Sequence, residues 1–82
     1  MSNKPHASSL AVLLMLGDNF TEPQAVKELK ECGVDTNFGF LMMMGYVRAL
    51  PASRQAVAVY GRGMNYGTAR YEVTEAGKQE VL

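Results

Sequence analysis

Residues 21 to 45, with the sequence TEPQAVKELKECGVDTNFGFLMMMG, predict two helices joined by a short turn. Thr21 and Gln24 have the spacing of a capping box, and Pro23 between them suits the first turn of a helix. The apolar residues that follow recur at helical spacing, with charged residues between them. Gly33 then suits the left-handed residue that ends a helix. The first helix of this pair is therefore expected to follow Thr21 and to end at Gly33.

A shorter helix is expected directly after this turn. The pair Asp35-Thr36 offers a second N-cap, and the helix runs through Met44 to Gly45, which terminates it. Two helices joined by a turn of about four residues around a glycine have the composition of a helix-turn-helix.

The sequence before this pair predicts one more helix. Ser8 or Ser9 can cap a helix that runs through Leu16, and because its residues are nearly all apolar, other elements must cover most of its sides. Residues 1 to 7 lack periodicity and are expected to form a flexible tail. The folded domain is accordingly predicted to span residues 8 to 82.

After the third helix the period of the sequence changes to two, which is typical of strands. Val and Ala are frequent in one segment, and apolar and polar residues alternate in another. Glycines stand between these segments, where a hairpin loop needs positive φ angles. The expected elements are an edge strand at 46–50 that Pro51 breaks, strands at 55–60 and 68–74 joined by a loop at 61–67, and a closing helix at 75–82 capped by Thr74.

Length and composition bound the class of protein. The 82 residues are 48% hydrophobic and 20% charged, which suits one domain with a modest core. The single cysteine, Cys32, cannot form an internal disulfide, and together with His6 it cannot close a structural zinc site. We therefore expect no metal and no cofactor.

The longest apolar run, Leu10 to Leu16, is far shorter than the roughly 20 residues that span a bilayer, so we expect a cytoplasmic protein without a membrane partner.

The charged residues balance to a net charge of zero but are unevenly distributed. Residues 46 to 71 contain four arginines and no acidic residue, whereas the segments on either side are acidic overall. Guanidinium groups match phosphate oxygens and keep their charge, so this basic segment suits contacts with nucleic acid. The competing interpretation is a solvated hairpin whose charge balances the acidic helices.

Two short motifs, in this order of elements, resemble the prokaryotic and phage winged-helix family. They are Gly45-Tyr46-Val47-Arg48 after the third helix and the segment from Tyr71 to Gly77 before the closing helix, with Val73 where the family commonly has Leu. The resemblance implies a small α+β winged helix-turn-helix domain of three helices, a β-hairpin wing and a short C-terminal helix. It also implies binding to duplex DNA, with the third helix in the major groove and the wing on the adjacent backbone.

On this resemblance the protein is a transcriptional regulator that binds double-stranded DNA as a homodimer. Arg62 at the tip of the wing is the strongest candidate for a phosphate contact. Lys27 and Lys30 are weaker candidates, because acidic residues stand beside them. The candidate DNA contacts are Thr36, Asn37, Arg48, Arg54, Arg62, Asn65, Tyr66, Arg70, Lys27 and Lys30.

The third helix also supports a different function. It carries no Arg, Lys or Gln, and its three consecutive methionines cannot all face one core. The alternative is a protein-protein interaction module, an inhibitor or small subunit of a larger machine. Its interface would consist of Phe38, Phe40, Met42, Met43 and Met44. An enzyme is not expected, since His6 lacks a positioned partner and Cys32 at a helix end is typical of apolar filling.

Overall fold

A three-stranded antiparallel sheet and five helices make up residues 6 to 82, the part of the chain that the computed structural model describes. In chain order the elements are α1 (Ala7–Met15), β1 (Phe20–Thr21), α2 (Glu22–Glu31), α3 (Phe38–Met43), β2 (Val47–Ala49), α4 (Pro51–Met64), β3 (Arg70–Val73) and α5 (Glu75–Val81). This arrangement confirms the α+β class. Residues 1 to 5, most of the predicted tail, lie outside the described residues.

The two helices around Gly33 are present, and α2 starts as predicted. The Thr21 hydroxyl accepts a hydrogen bond from the Gln24 backbone N–H at 3.4 Å, and the Gln24 side chain accepts one from the Thr21 N–H at 2.9 Å. Gly33 adopts a φ of +71°, as a glycine that ends a helix does. These reciprocal bonds confirm the predicted capping box.

Helix α3 starts later than predicted, because Asn37 is its N-cap in place of the pair Asp35-Thr36. The Asn37 side chain accepts a hydrogen bond from the Phe40 N–H at 3.3 Å. Thr36 is not available for capping, since its hydroxyl is hydrogen-bonded to that of Ser9 in α1. The predicted cap of α1 is wrong as well, because α1 begins at Ala7 without a side-chain cap and Ser8 and Ser9 lie inside its first turn.

The sheet has the strand order β1-β3-β2, so β3 is central. Tyr71 and Val73 point into the core, whereas Arg70 and Glu72 alternate with them on the outer face. The strand predicted at 68–74 is therefore confirmed over residues 70 to 73. The edge strand predicted at 46–50 is also confirmed, as β2.

The predicted strand at 55–60 is wrong, because these residues belong to α4. Pro51 occupies the first turn of this helix, where its fixed φ angle favours helix formation, and alanines follow it. Strand β3, the predicted hairpin partner of this segment, already pairs with β1 on one side and β2 on the other, so it has no free edge. A helix therefore joins β2 to β3 in place of the predicted hairpin loop. It bends at Gly61, whose φ is +83°.

The core lies between helices α1 to α3 and the inner face of the sheet. Its aromatic centre is Phe38, which contacts Tyr71 edge-on at a ring distance of 5.1 Å and Phe20 at 6.2 Å. Phe38 was a candidate for a protein interface, but its side chain is buried here. The remaining buried apolar side chains are those of Leu10, Val12, Leu13, Ala25, Leu29, Leu41, Val47, Ala49, Ala69 and Val73.

The predicted closing helix is confirmed as α5, and it packs closely against the start of β2. The Thr74 hydroxyl accepts a hydrogen bond from the Gly77 N–H at 3.2 Å and donates one to the Gly45 carbonyl at 2.6 Å. A Cβ atom on Gly77 would lie 2.5 Å from the Tyr46 carbonyl oxygen. The helix can approach this closely only because residue 77 has no side chain.

Candidate functional site

Three exposed arginines lie on adjoining elements, namely β2, β3 and the start of α4. Arg48 and Arg70 lie on the outer face of the sheet, since their neighbours in each strand are buried. Arg54 in the first part of α4 donates a hydrogen bond from Nε to the Ala49 carbonyl at 3.0 Å. The Arg70 backbone N–H donates to the Ser53 hydroxyl at 3.0 Å, which ties α4 to the central strand. We call Arg48, Arg54 and Arg70 the arginine face.

The arginine face keeps most of its positive charge. Arg48 Nε lies 2.8 Å from Glu72 Oε2, and this ion pair is exposed, with 59% of the Arg48 side chain accessible. Arg54 and Arg70 have no acidic partner among residues 6 to 82. An exposed ion pair contributes only about 0–1 kcal/mol, so Glu72 binds Arg48 weakly. The surface therefore presents three guanidinium groups against one carboxylate.

Arg62 is not at an exposed tip, where the sequence predicted it. Its Nε lies 2.9 Å from Glu22 Oε1, in an ion pair without an aligned hydrogen bond. The Glu22 side chain is only 9% exposed and that of Arg62 is 39% exposed. The guanidinium group lies against α3, where a Cβ on Gly39 would come within 2.5 Å of Nη1. Arg62 thus fastens the end of α4 to α2 and α3.

Burial raises the pKa of Glu22 above its ordinary value, although the charge of Arg62 lowers it in part. The Tyr71 hydroxyl is buried too, and it has no hydrogen-bond partner among the described residues. Burial, and to a lesser degree the charge of Glu22, raises the pKa of Tyr71. The Glu22 carboxylate is therefore held in a poorly solvated place with one ion-pair partner.

We expect Glu22 to make the protein more stable in mild acid than near neutrality. Because its pKa is higher in the folded protein than in the unfolded chain, its contribution to stability is complete below about pH 4.5 and is lost as the pH rises through the folded pKa. The measurement is urea unfolding of the parent and of Glu22→Gln between pH 4 and pH 7. Relative to the variant, the parent should lose stability as the pH rises. A constant difference would contradict this assignment.

Two of the predicted DNA contacts, Thr36 and Asn37, lie just before α3 and are engaged in structure. Thr36 is half-buried and hydrogen-bonded to Ser9, and Asn37 uses its side-chain oxygen as the helix cap. Asn37 remains exposed, so its amide nitrogen is accessible. These two residues therefore offer few groups that could read base edges.

The other predicted DNA contacts divide into structural and exposed residues. Asn65 is structural, since its side chain donates to the Gly61 carbonyl at 2.8 Å and to the Ala56 carbonyl at 3.2 Å and thereby supports the bend of α4. Tyr66 is partly exposed. Lys27 and Lys30 lie on the exposed side of α2 and form no ion pair with any residue from 6 to 82.

The predicted protein interface is only partly accessible. Phe38 is in the core and Met42 is half-buried, whereas Phe40, Met43 and Met44 are exposed. We call these three exposed residues the α3 patch. The His6 ring lies 5.3 Å from that of Phe40, at the edge of this patch.

A second apolar surface was missed by the sequence analysis. Val59, Tyr60 and Met64 in α4 are each about two-thirds or more exposed. The sequence predicts a strand at 55–60 and a loop at 61–67, and these elements do not place the three side chains on one face. Pro51, as a helix-starting residue followed by alanines, was the signal that could have revealed this surface.

The described part of the chain offers no site for a metal ion, since no three His, Cys, Asp or Glu side chains of residues 6 to 82 come together. None of the helices within this range is long and apolar enough to cross a bilayer. Comparison of the chain with protein-family models, with curated proteins and with solved structures found no match.

Proposed function

We propose that the protein is a small winged-helix protein that binds double-stranded DNA and regulates transcription. The arginine face carries this proposal, because three exposed guanidinium groups with only one carboxylate among them suit a row of phosphates. The adjacent antiparallel strands β2 and β3 support the winged-helix arrangement, with α4 in the place of the hairpin tip.

Within this proposal, phosphate contacts outweigh base contacts. Arg54 and Arg70 are available without breaking any ion pair among the described residues, and Arg48 can exchange Glu72 for a phosphate at small cost. Arg62 would first have to leave Glu22. Because Asn37 alone offers an exposed polar group at the start of α3, we expect weak discrimination between DNA sequences.

The test is fluorescence anisotropy on a DNA duplex at several salt concentrations. Three phosphate contacts predict a slope of log K against log salt of about −2.7, which is roughly a fortyfold loss of affinity between 50 and 200 mM salt. The double variant Arg54→Ala, Arg70→Ala should reduce the slope to about −0.9. Lys78→Ala, which removes a positive charge from α5, is the matched control and should leave the slope unchanged.

Absence of binding by the parent at 50 mM salt, or an unchanged slope in the double variant, would overturn the DNA proposal.

The α3 patch supports the second candidate, a protein-protein interaction module, because Met43 is 78% exposed beside Phe40 and Met44. Failure of the parent to bind DNA, together with its capture of a defined protein that Met43→Glu abolishes, would favour this candidate.

A further inference from the structure

The ion pair with Glu22 sets Arg62 apart from the other arginines of the basic segment. Arg48, Arg54 and Arg70 are exposed, whereas the guanidinium group of Arg62 lies against α3 beside the first residue of α2. The Arg62 side chain is nevertheless 39% exposed, against 9% for that of Glu22. The guanidinium group therefore borders on solvent, while the carboxylate that holds it does not.

Glu22 holds Arg62 by charge, without a well-formed hydrogen bond. Arg62 Nε lies 2.9 Å from Glu22 Oε1, but Oε1 is buried and accepts no aligned hydrogen bond from a described residue. The Tyr71 hydroxyl, close enough for the charge of Glu22 to act on it, is buried without a partner in the same part of the chain. A buried carboxylate with so few donors is unfavourable while it is charged, and a neutral carboxyl group suits the same place better. Loss of the Glu22 charge therefore removes the attraction on Arg62 while Glu22 stays buried.

Gly39 in α3 leaves the space that the guanidinium group fills. A Cβ atom at this position would lie 2.5 Å from Arg62 Nη1 and 3.1 Å from both Cζ and Nη2. These atoms are the free end of a flexible side chain, so an alanine at position 39 would displace them and leave the backbone of α3 in place. Arg62 can thus be released in two separate ways, by removing the charge of Glu22 or by filling the space at Gly39.

The backbone around Arg62 is held independently of Glu22. Gly61 bends α4 with a φ of +83°, a conformation that favours glycine. Asn65 Nδ2 donates to the Gly61 carbonyl at 2.8 Å and to the Ala56 carbonyl at 3.2 Å. Opening the ion pair leaves these bonds intact, so release requires only a rotation of the Arg62 side chain.

Arg62 of α4 and Tyr71 of β3 are the titratable side chains that face Glu22. The elements in closest contact with α2 are α1, β1 and α3, and none of these three carries a charged or titratable side chain. Arginine and tyrosine keep their protons in mild acid. A fall in pH therefore changes the charge of this cluster only at Glu22.

We propose that Glu22 and Gly39 hold Arg62 in reserve, and that neutralising Glu22 releases it as a fourth phosphate contact beside the arginine face. Glu22 directly follows Thr21, whose partner in the sheet is Arg70, so Arg62 is released next to this face. The charged Glu22 is thus an internal competitor of phosphate for the guanidinium group. The added contact rests on the proposed DNA binding, whereas the release of Arg62 does not.

NMR of the Arg62 Nε–H group tests the release without DNA. In the parent, this signal should move as the pH is lowered from 7 to 4, because protonation of Glu22 opens the ion pair. In Glu22→Gln it should stay fixed, close to the position that the parent reaches in acid. Gly39→Ala should shift the signal at pH 7, although Glu22 remains charged. A parent signal that does not move, or one that moves equally in Glu22→Gln, overturns the proposal.

Fluorescence anisotropy on a DNA duplex at pH 7 tests the added contact. Glu22→Gln should steepen the slope of log K against log salt from about −2.7 to about −3.6, so that the loss of affinity between 50 and 200 mM salt rises from roughly fortyfold to roughly 150-fold. Gly39→Ala, which changes no charge, should steepen it too. Glu31→Gln is the matched control, because it removes an exposed carboxylate from the same helix and should leave the slope unchanged.

The double variant Glu22→Gln, Arg62→Ala should return the slope to about −2.7, since Arg62 supplies the added contact. A slope in this variant as steep as that of Glu22→Gln would overturn the proposal. If the parent binds DNA but Glu22→Gln leaves its slope unchanged, the DNA proposal stands and the reserve contact is refuted. If the parent does not bind DNA, the proposed function is refuted, and the NMR titration decides whether Glu22 releases Arg62.

Discussion

Phe38→Ala is expected to lower the free energy of unfolding by about 3–5 kcal/mol. Phe38 is 3% exposed and contacts both Phe20 and Tyr71, so its removal leaves a cavity at the point where α3 meets the sheet. For a domain of this size the melting temperature should fall by at least about 12 °C. Urea unfolding and thermal unfolding followed by circular dichroism measure both quantities.

Phe40→Ala is the matched control, because Phe40 lies two residues further along the same helix and is 40% exposed. This substitution should lower the free energy of unfolding by less than about 1 kcal/mol. Equal losses of stability in the two variants would show that Phe38 does not lie in the core and would restore it as a candidate interface residue.

Gly77→Ala is expected to destabilise the protein by about 1–3 kcal/mol, although alanine favours helix formation by about 1 kcal/mol over glycine. The added Cβ would lie 2.5 Å from the Tyr46 carbonyl oxygen and 2.6 Å from Val73 Cγ1. The carbonyl cannot easily move, because it accepts a hydrogen bond from the Thr74 N–H at 2.9 Å. Helix α5 must therefore shift away from the sheet.

Gly63→Ala provides the comparison for this second substitution. Gly63 is also helical, but a Cβ there would meet no atom within 4 Å. The variant should be as stable as the parent or slightly more stable. If thermal unfolding finds Gly77→Ala equally tolerated, the close approach of α5 to β2 is not rigid.

Local signals in the sequence predicted much of the fold. The capping box at Thr21, the helix end at Gly33 and the cap at Thr74 each depend on residues within one turn, and the structure contains all three. The prediction of a strand at 55–60 was wrong, because whether a segment forms a strand depends on pairing partners that are distant in the sequence. With both edges of β3 occupied by β1 and β2, the segment became a helix.

The candidate site shows the same division between local and distant information. The block of arginines without acids was visible in the sequence, and Arg48, Arg54 and Arg70 are exposed on the adjoining elements β2, α4 and β3. The role of Arg62 could not be predicted, because its partner Glu22 is 40 positions away and is defined only by burial. The exposed apolar surface of Val59, Tyr60 and Met64 depends on the helical structure of α4 and was missed for that reason.

The central position of β3 has a consequence for the order of folding. Phe20 pairs with Tyr71, so β1 pairs with a strand that lies about 50 residues later in the chain. During synthesis at the ribosome, neither β1 nor β2 has its neighbouring strand until residues 70 to 73 have emerged. The sheet therefore cannot form until most of the chain has been synthesised.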